Sequence, residues 1–412
     1  MNETKNKFKT LIIGFALFAM FFGAGNVLLP PFIGLKSGSN FYMSIAGFIL
    51  TGVGLPLLAL LVVFYINGEY TKLFEPLGTN FSKFLLVAAF LTIGPAIAIP
   101  RTAATTFEVG IKPFFPMISP VIGGLIFFLI NLVFVMKKSD VLDKIGSLLT
   151  PALILTTVML IVKGIIKPIA PIGVPHIPDA FSQGFLEGYN TIDAVASVIF
   201  AGLVWNNLSQ TIKNKEVLKK TSIKASFIAA IGLSAIYAGF IYLGATASTV
   251  FPQNIERTTL LNGITTKLLG NSGMSLLAII VSLACLTTSI GLIVSVSSYF
   301  EKVLNYKVKY NVIVIFVVAT SYIISQLGVD KIINYTIPIL TVFYPLLIVV
   351  LFLTLSKANY KVYRYTTYTT FVFCIIDLLY PLPLHEQGFA WLIPTFIAYA
   401  ILTLEYAWKK NR

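Results

Sequence analysis

Residues 10–35 run for the width of a bilayer without one charged side chain, and such stretches recur along the whole 412-residue chain. A membrane crossing needs about 20 apolar residues. Stretches of this kind cover 10–35, 41–66, 84–100, 114–136, 145–162, 194–212, 225–250, 273–300, 310–329, 332–356, 365–384 and 388–404, and only the eleventh holds a charge, Asp377. Hydrocarbon offers no hydrogen bonds, so each stretch must satisfy its own backbone as a helix. The expected fold is an all-α polytopic membrane protein of twelve transmembrane helices. Composition agrees: 11% of residues are charged, where a soluble domain carries about 25%, and mean hydropathy is +0.88.

The net charge of +14 does not indicate nucleic acid, because the basic residues fall in short clusters between apolar runs rather than on one soluble face. Their distribution instead orients the chain, since Lys and Arg favour cytoplasmic loops. With the N-terminus inside, the inner segments hold 22 of the 30 basic residues, and every inner segment is basic. Twelve crossings return the C-terminus, "KKNR", to the cytoplasmic side. The leading "MNETKNKFKT" lacks a small-residue cleavage site, so no removable signal is expected. Cys285 and Cys374 lie in apolar runs, far from each other and from His176 and His385. They form neither a metal-ligand spacing nor a disulfide framework and read as small buried hydrophobes.

Spans one to five (10–162) and six to ten (194–356) are blocks of similar length, followed by two further helices in 365–404. The segment 163–193 joins them, with prolines at 168, 171, 175 and 178. Five is odd, so the blocks begin on opposite sides of the membrane, the five-plus-five inverted repeat of many secondary transporters. No residue-by-residue similarity links the halves.

Span one is interrupted by "FFGAGNVLLPP" at 21–31, and span six contains "FAGLVWNN" at 200–207. Interruptions at corresponding places in two halves point to a binding site at the membrane midplane. An unwound helix in lipid leaves backbone groups unsatisfied at several kcal/mol each, unless ligand, ion or water takes them. A half-helix beginning at Gly25 offers free N–H groups and a positive dipole end to a carboxylate. The half-helix ending near Phe22 offers carbonyls to a cation. The competing reading is that Gly23 and Gly25 only allow close helix packing; Asn26 and the Pro30–Pro31 pair weigh against it.

"FFGAGNVLLPPFIG", "TIGPAIAIPRTAATTFEVG" (92–110) and "LEGYNTIDAVAS" (186–197) closely resemble the bacterial branched-chain amino acid–cation symporters, and the similarity covers essentially the whole chain. It implies uptake of leucine, isoleucine and valine with sodium across the bacterial inner membrane, on the fold of the amino acid–polyamine–organocation superfamily with helices 1 and 6 broken. It implies no cofactor beyond sodium as co-substrate, and no obligatory protein partner. "GAGN" is similar to the unwound first helix of the sodium-coupled leucine transporters, which implies that the Ala24 and Gly25 amides receive the carboxylate. "LACLTTSIGLIVSVSS" is similar to their eighth helix. The substrate set so implied is Gly23, Ala24, Gly25, Asn26, Phe200, Ala201, Gly202 and Thr288. Phe200, Ala201 and Gly202 would align with the break in span six. The sodium set is the carbonyls of Ala19, Phe22 and Ala284 with the hydroxyls of Thr287 and Thr288, five neutral oxygens suited to a hard cation. Both threonines could instead bond back to carbonyls of their own helix. Asn26 matches a ligand of a second sodium in those transporters. They also place a carboxylate-holding tyrosine on the third helix, and no tyrosine lies between 84 and 110. Gly94, Pro95 and Pro100 should bend that helix toward the site.

The ten repeat spans, drawn this way, hold no titratable side chain, and Glu108, Glu187 and Asp193 fall near outer boundaries with a solvated or gating role. Proton coupling calls for such a group in the membrane, so sodium is the expected ion. A membrane-embedded enzyme would need Asp, Glu, His or Ser–His sets within spans, and a channel a polar stripe. The remaining rival is a sodium-independent or proton-coupled transporter or exchanger of the same superfamily.

Overall fold

The computed structural model describes residues 3–137 and 141–410; Lys138 and Arg412, counted among the inner cations, lie outside them. All regular structure among the described residues is helical. Span one is two helices, α1 (Glu3–Phe21) and α2 (Ala24–Ser37), parted at Phe22 and Gly23. Gly23 is extended and no side chain caps α2; the Asn26 amide donates to the Gly23 carbonyl (3.2 Å), ahead of which the helix opens at Ala24 and Gly25. Pro30 and Pro31 sit inside α2. Span two joins α3 (Phe41–Ile49) to α4 (Leu55–Tyr65) through a π-helical turn, Leu50–Gly54.

Span three bends as its glycine and prolines require. After α5 (Thr79–Leu91), the π-helical turn Thr92–Ala96 contains Gly94 at non-helical φ −101°, ψ −129°, and α6 (Ala98–Thr105) leaves at a new angle. Pro100 has no N–H to give the carbonyl four residues earlier, that of Ala96. The hydroxyl of Tyr335 takes that carbonyl instead, so the kink is held by a side chain from another span. A second π turn, Thr106–Ile111, carries Glu108.

Helices α7 (Pro120–Lys137) and α8 (Val141–Ile166) follow. The linker expected at 163–193 contains a helix of its own, α9 (Ala180–Tyr189), which meets α10 (Asp193–Thr211) at a 42° bend. Hydrogen bonds from Ser44 to the Ala180 carbonyl (2.7 Å) and from Thr51 to that of Phe185 (2.7 Å) fasten α9 to span two. Span six therefore starts earlier than its apolar run, and its break is at Asn190–Ile192. The expected break at Phe200–Gly202 is corrected: α10 is continuous there. Gly202 serves packing instead, since a Cβ on it would come within 2.8 Å of Tyr70.

Next come α11 (Lys215–Thr246), α12 (Arg257–Val303), α13 (Tyr310–Ser325), α14 (Val329–Leu355), α15 (Tyr360–Leu379) and α16 (Leu392–Lys410). α12 is broken at Gly270 (φ +69°), which separates a short leading helix from the predicted span. α2 and α11 pack backbone to backbone: a Cβ on Gly34 would collide with the Ile241 carbonyl, and one on Gly244 with that of Pro31. By length and apolarity, five helical stretches of the described residues can each cross a bilayer, or six with α9 and α10 taken together. Leu125, Ile126, Leu129, Ile130 and Val133 of α7 all face outward, a surface suited to lipid rather than water.

Candidate functional site

Both helix breaks open on one cavity of about 470 Å³, its mouth included. Its wall combines Met20, Phe21, Gly23, Gly25 and Asn26 from the first break with Thr191, Ile192, Asp193, Ala196 and Phe200 from the second. Span three adds Ile93, Ala98, Arg101 and Thr102, and α12 adds Thr288 and Leu292.

The break in span six is held open by a charge. Arg101 is 5% exposed and donates through Nη1 to the Asn190 carbonyl (2.5 Å) and through Nη2 to the Thr191 carbonyl (3.2 Å). These are the carbonyls left at the end of α9. Ile192 then takes φ +67°, a left-handed conformation that costs a β-branched residue about 1–3 kcal/mol. The strain turns Asp193 inward at the start of α10.

Asp193 is 6% exposed. Its Oδ2 accepts from Asn26 Nδ2 at 2.5 Å and more weakly from the Tyr237 hydroxyl at 3.4 Å, and Asn26 also bonds that hydroxyl. The expectation that the repeat spans hold no titratable group is corrected here. Asp193 stands one residue outside the apolar run, yet the helix bend carries it into the protein's interior beside the first break. Arg101 is likewise buried within span three rather than at a boundary.

Of the residues the sequence brought forward for substrate, Gly23, Gly25, Asn26, Phe200 and Thr288 line this cavity, and Ala24 begins α2. Ala201 and Gly202 do not line it; Ala201 is buried in packing. A Cβ on Gly23 would lie 4.0 Å from the Thr288 methyl, which sets α12 against the break. Ala19 and Phe22 stand at the end of α1, and Ala284 and Thr287 on α12. The Thr287 hydroxyl donates to the Ala284 carbonyl at 3.0 Å, a bond within the helix.

A second polar layer adjoins the first. Arg257, at the start of α12, pairs with Glu187 of α9 (3.0 Å) and Asp330 of α14 (2.6 Å), and its guanidinium stacks 3.9 Å over Phe32. Glu187 also accepts from Asn190 Nδ2 (3.1 Å), whose residue receives Arg101. Glu108 accepts from Thr258 (2.7 Å) and from the Val329 amide (3.0 Å). Glu108 and Glu187 are thus engaged between helices rather than solvated.

Sequence reasoning missed Arg101, Asp193 and Tyr237 as site residues. The first two lie inside two of the stretches that carried the family resemblance, and an ionisable residue abutting an apolar span was the available signal.

A family model described as "Branched-chain amino acid transport protein" matches residues 6–409. The chain belongs to this family. A putative branched-chain amino acid carrier protein of Staphylococcus epidermidis is 42% identical over 84% of this chain and 81% of that one. The branched-chain amino acid permease BraB of Bacillus subtilis is 35% identical over 95% and 94%. Family members so named are carriers and permeases, and this chain is a multi-pass membrane transporter rather than an enzyme. Among solved structures, the nucleobase-cation-symport-1 family transporter Mhp1, in a closed conformation with bromovinylhydantoin bound, is similar to this chain in fold. Its TM-score is 0.65 over 96% of this chain and 93% of that one, at 14% identity. A Na+-coupled sialic acid symporter in a substrate-bound outward-open state gives a TM-score of 0.53 over 97% and 96%, at 15% identity.

Proposed function

We propose that this transporter imports leucine, isoleucine and valine by sodium symport, exposing one midplane site alternately to the two sides of the bacterial inner membrane. The observation that carries this reading is the single cavity shared by the two helix breaks and Thr288. Two half-helices meeting at one cavity place N–H groups for an anion and carbonyls for a cation within one small volume. Met20, Phe21, Ile93, Phe200 and Leu292 supply apolar walls for an aliphatic side chain.

The proposed architecture is twelve crossings with both termini cytoplasmic, inverted repeats over 10–162 and 194–356, and two additional helices over 365–404. The second repeat, on this reading, begins with α9. Sodium binds carbonyls of Ala19, Phe22 and Ala284 and the hydroxyls of Thr287 and Thr288; Thr287 turns from its intrahelical bond to do so. Substrate lies against Gly23, Ala24, Gly25, Asn26, Phe200 and Thr288. The cycle uses no cofactor and no protein partner.

Asp193 supports a second reading, proton coupling, because a buried carboxylate in a transport cavity is the group that mechanism requires. Uptake of labelled leucine, isoleucine and valine into vesicles separates the two. Sodium symport requires an inward sodium gradient that neither potassium nor a proton gradient replaces; equal uptake without sodium overturns it in favour of the second reading.

A further inference from the structure

We propose that Arg101 receives the substrate's carboxylate and Asp193 its ammonium, so that the cavity selects a zwitterionic α-amino acid. This deepens the transport reading and rests on it.

Two positive features stand side by side at the first break. α2 begins beside Gly25 without a side-chain cap, and its first turn carries the positive end of the helix dipole. A Cβ built on Gly25 would stand 2.7 Å from Arg101 Nη2 and 2.9 Å from its Cζ. The guanidinium therefore lies directly against that helix start. Its bonds to the Asn190 and Thr191 carbonyls satisfy hydrogens, and the nearby Asp193 offsets its charge only at a distance, without direct contact. No ion pair among the described residues includes Arg101 or Asp193. A buried cation without a carboxylate partner is strongly unfavourable, more so against a helix N-terminus. A carboxylate in the cavity beside them resolves both, meeting the guanidinium hydrogens that the Asn190 and Thr191 carbonyls leave free and the first amides of α2. Only glycine at 25 leaves space for this approach.

Asp193 is the converse case. Its carboxylate is buried and bonded by neutral donors, Asn26 and Tyr237, while its nearest opposite charge, Arg101, is not in contact with it. Arg101 and Asp193 face the same cavity and attract each other across it, but they do not close to ion-pair contact. An α-amino acid carries one charge of each sign on a single carbon, and it is the ligand that neutralises both residues at once. An amine or a carboxylic acid neutralises one and leaves the other exposed to a low-dielectric wall.

The test uses the full chain, purified, with labelled leucine binding competed by leucine, by leucinamide (no carboxylate) and by 4-methyl-2-oxopentanoate (no ammonium). Wild type should prefer leucine to either analogue by about 100-fold or more. In Arg101→Gln, leucine should weaken about 100-fold while leucinamide changes little, so that their ratio collapses. In Asp193→Asn, the ratio of leucine to the oxo acid should collapse instead. Each ratio is internal to one variant and does not depend on how much of it folds. If Arg101→Gln gives no folded protein, Arg101→Lys carries the test. It retains the charge but loses the fork, so leucine weakens about tenfold while its preference over leucinamide persists. An unchanged leucine-to-leucinamide ratio in Arg101→Gln, or a collapsed preference in Arg101→Lys, overturns the carboxylate assignment. Loss of sodium dependence in Asp193→Asn with an unchanged oxo-acid ratio overturns the ammonium assignment. Wild type that binds no leucine overturns the transport reading together with this one, whereas wild type that binds it with unchanged variant ratios overturns this inference alone.

Discussion

Asn26 donates through Nδ2 to Oδ2 of Asp193 at 2.5 Å, a bond that ties the break in span one to the break in span six. The two residues are far apart in sequence, and the same amide also meets Tyr237 of α11. Replacing Asn26 by Leu takes the shortest hydrogen bond from a buried carboxylate and leaves the longer one from Tyr237. The expected loss is about 2 kcal/mol of stability, typical of a hydrogen bond to a charged group, together with near-complete loss of leucine uptake. Thermal melting and vesicle uptake of the same preparation measure both, and wild-type uptake in Asn26→Leu contradicts a role at the site.

Two glycines of α2 should respond to alanine in opposite ways. A Cβ at Gly25 meets the far end of the Arg101 side chain, which can move. Gly25→Ala should therefore fold with a melting point close to wild type and lose uptake, because the guanidinium is displaced from the helix start. A Cβ at Gly34 meets the backbone of Ile241, and neither helix can yield without separating α2 from α11. Gly34→Ala should lose folded protein outright. Equal melting points for the two variants would contradict this account of the packing.

Much of this was legible in the sequence because it follows from local rules. The interruption at Phe22–Gly23 lies within the stretch the sequence marks, and the bend at Gly94–Pro95 falls on a glycine and a proline that disfavour a regular helix. The break in span six was not legible. Gly202 is a plausible breaker but sits in a continuous helix, while the break falls at Ile192, a residue with no preference for a left-handed backbone. What opens that turn is Arg101, distant in sequence, binding the carbonyls of Asn190 and Thr191. Tertiary contacts also explain the misplaced Asp193: hydropathy drew the span from Ala194, and only the bend shows that its first residue faces inward. The Ala96 carbonyl, freed by Pro100, was predictable, but not that Tyr335 would take it.

Sodium dependence should separate three threonines. Thr288 lines the cavity, Thr287 bonds within α12, and Thr157 is a buried hydroxyl bonded to the Leu153 carbonyl in α8. Thr288→Ala and Thr287→Ala should each raise the sodium concentration needed for half-maximal leucine uptake, by about tenfold or more for a lost charge-assisted ligand. Thr157→Ala should leave it unchanged. Equal effects across the three would mean that these hydroxyls serve the helices and not the ion.

The cap of α9 predicts a pH effect on stability. Asp179 accepts from the Ser182 hydroxyl (2.5 Å) and from the amides of Ser182 and Phe181 (3.1 Å each). The Ser182 hydroxyl bond, then the amides, hold its pKa below the usual carboxylate value. A folded-state pKa lower than the unfolded one gives stability that is complete above the unfolded value, about 3.9, and is lost as pH falls through the folded one. Asp179→Ala should therefore cost about 1 kcal/mol at neutral pH, as lost N-caps do. The melting difference from wild type should shrink only in acid below the usual carboxylate range, and a difference that persists there unchanged contradicts the cap.

Glu187 tests whether the second polar layer reaches the cavity. It receives Arg257 at Oε1 and Asn190 at Oε2, and the Asn190 carbonyl receives Arg101. One chain of hydrogen bonds thus runs from the start of α12 to the cavity wall. Glu187 does not line the cavity, so a purely local account of binding assigns it no effect on affinity. Glu187→Gln keeps the shape but removes the charge facing Arg257, and a buried pair broken on one side is destabilising by about 3–5 kcal/mol. Asp330 still pairs with Arg257 and should hold the loss toward the lower end. With Asn190 less firmly held, Arg101 should shift, and leucine affinity should fall severalfold while selectivity against leucinamide is kept. Melting curves and competition binding on one preparation read both quantities, and a destabilised variant with wild-type leucine affinity would show that the two layers act independently.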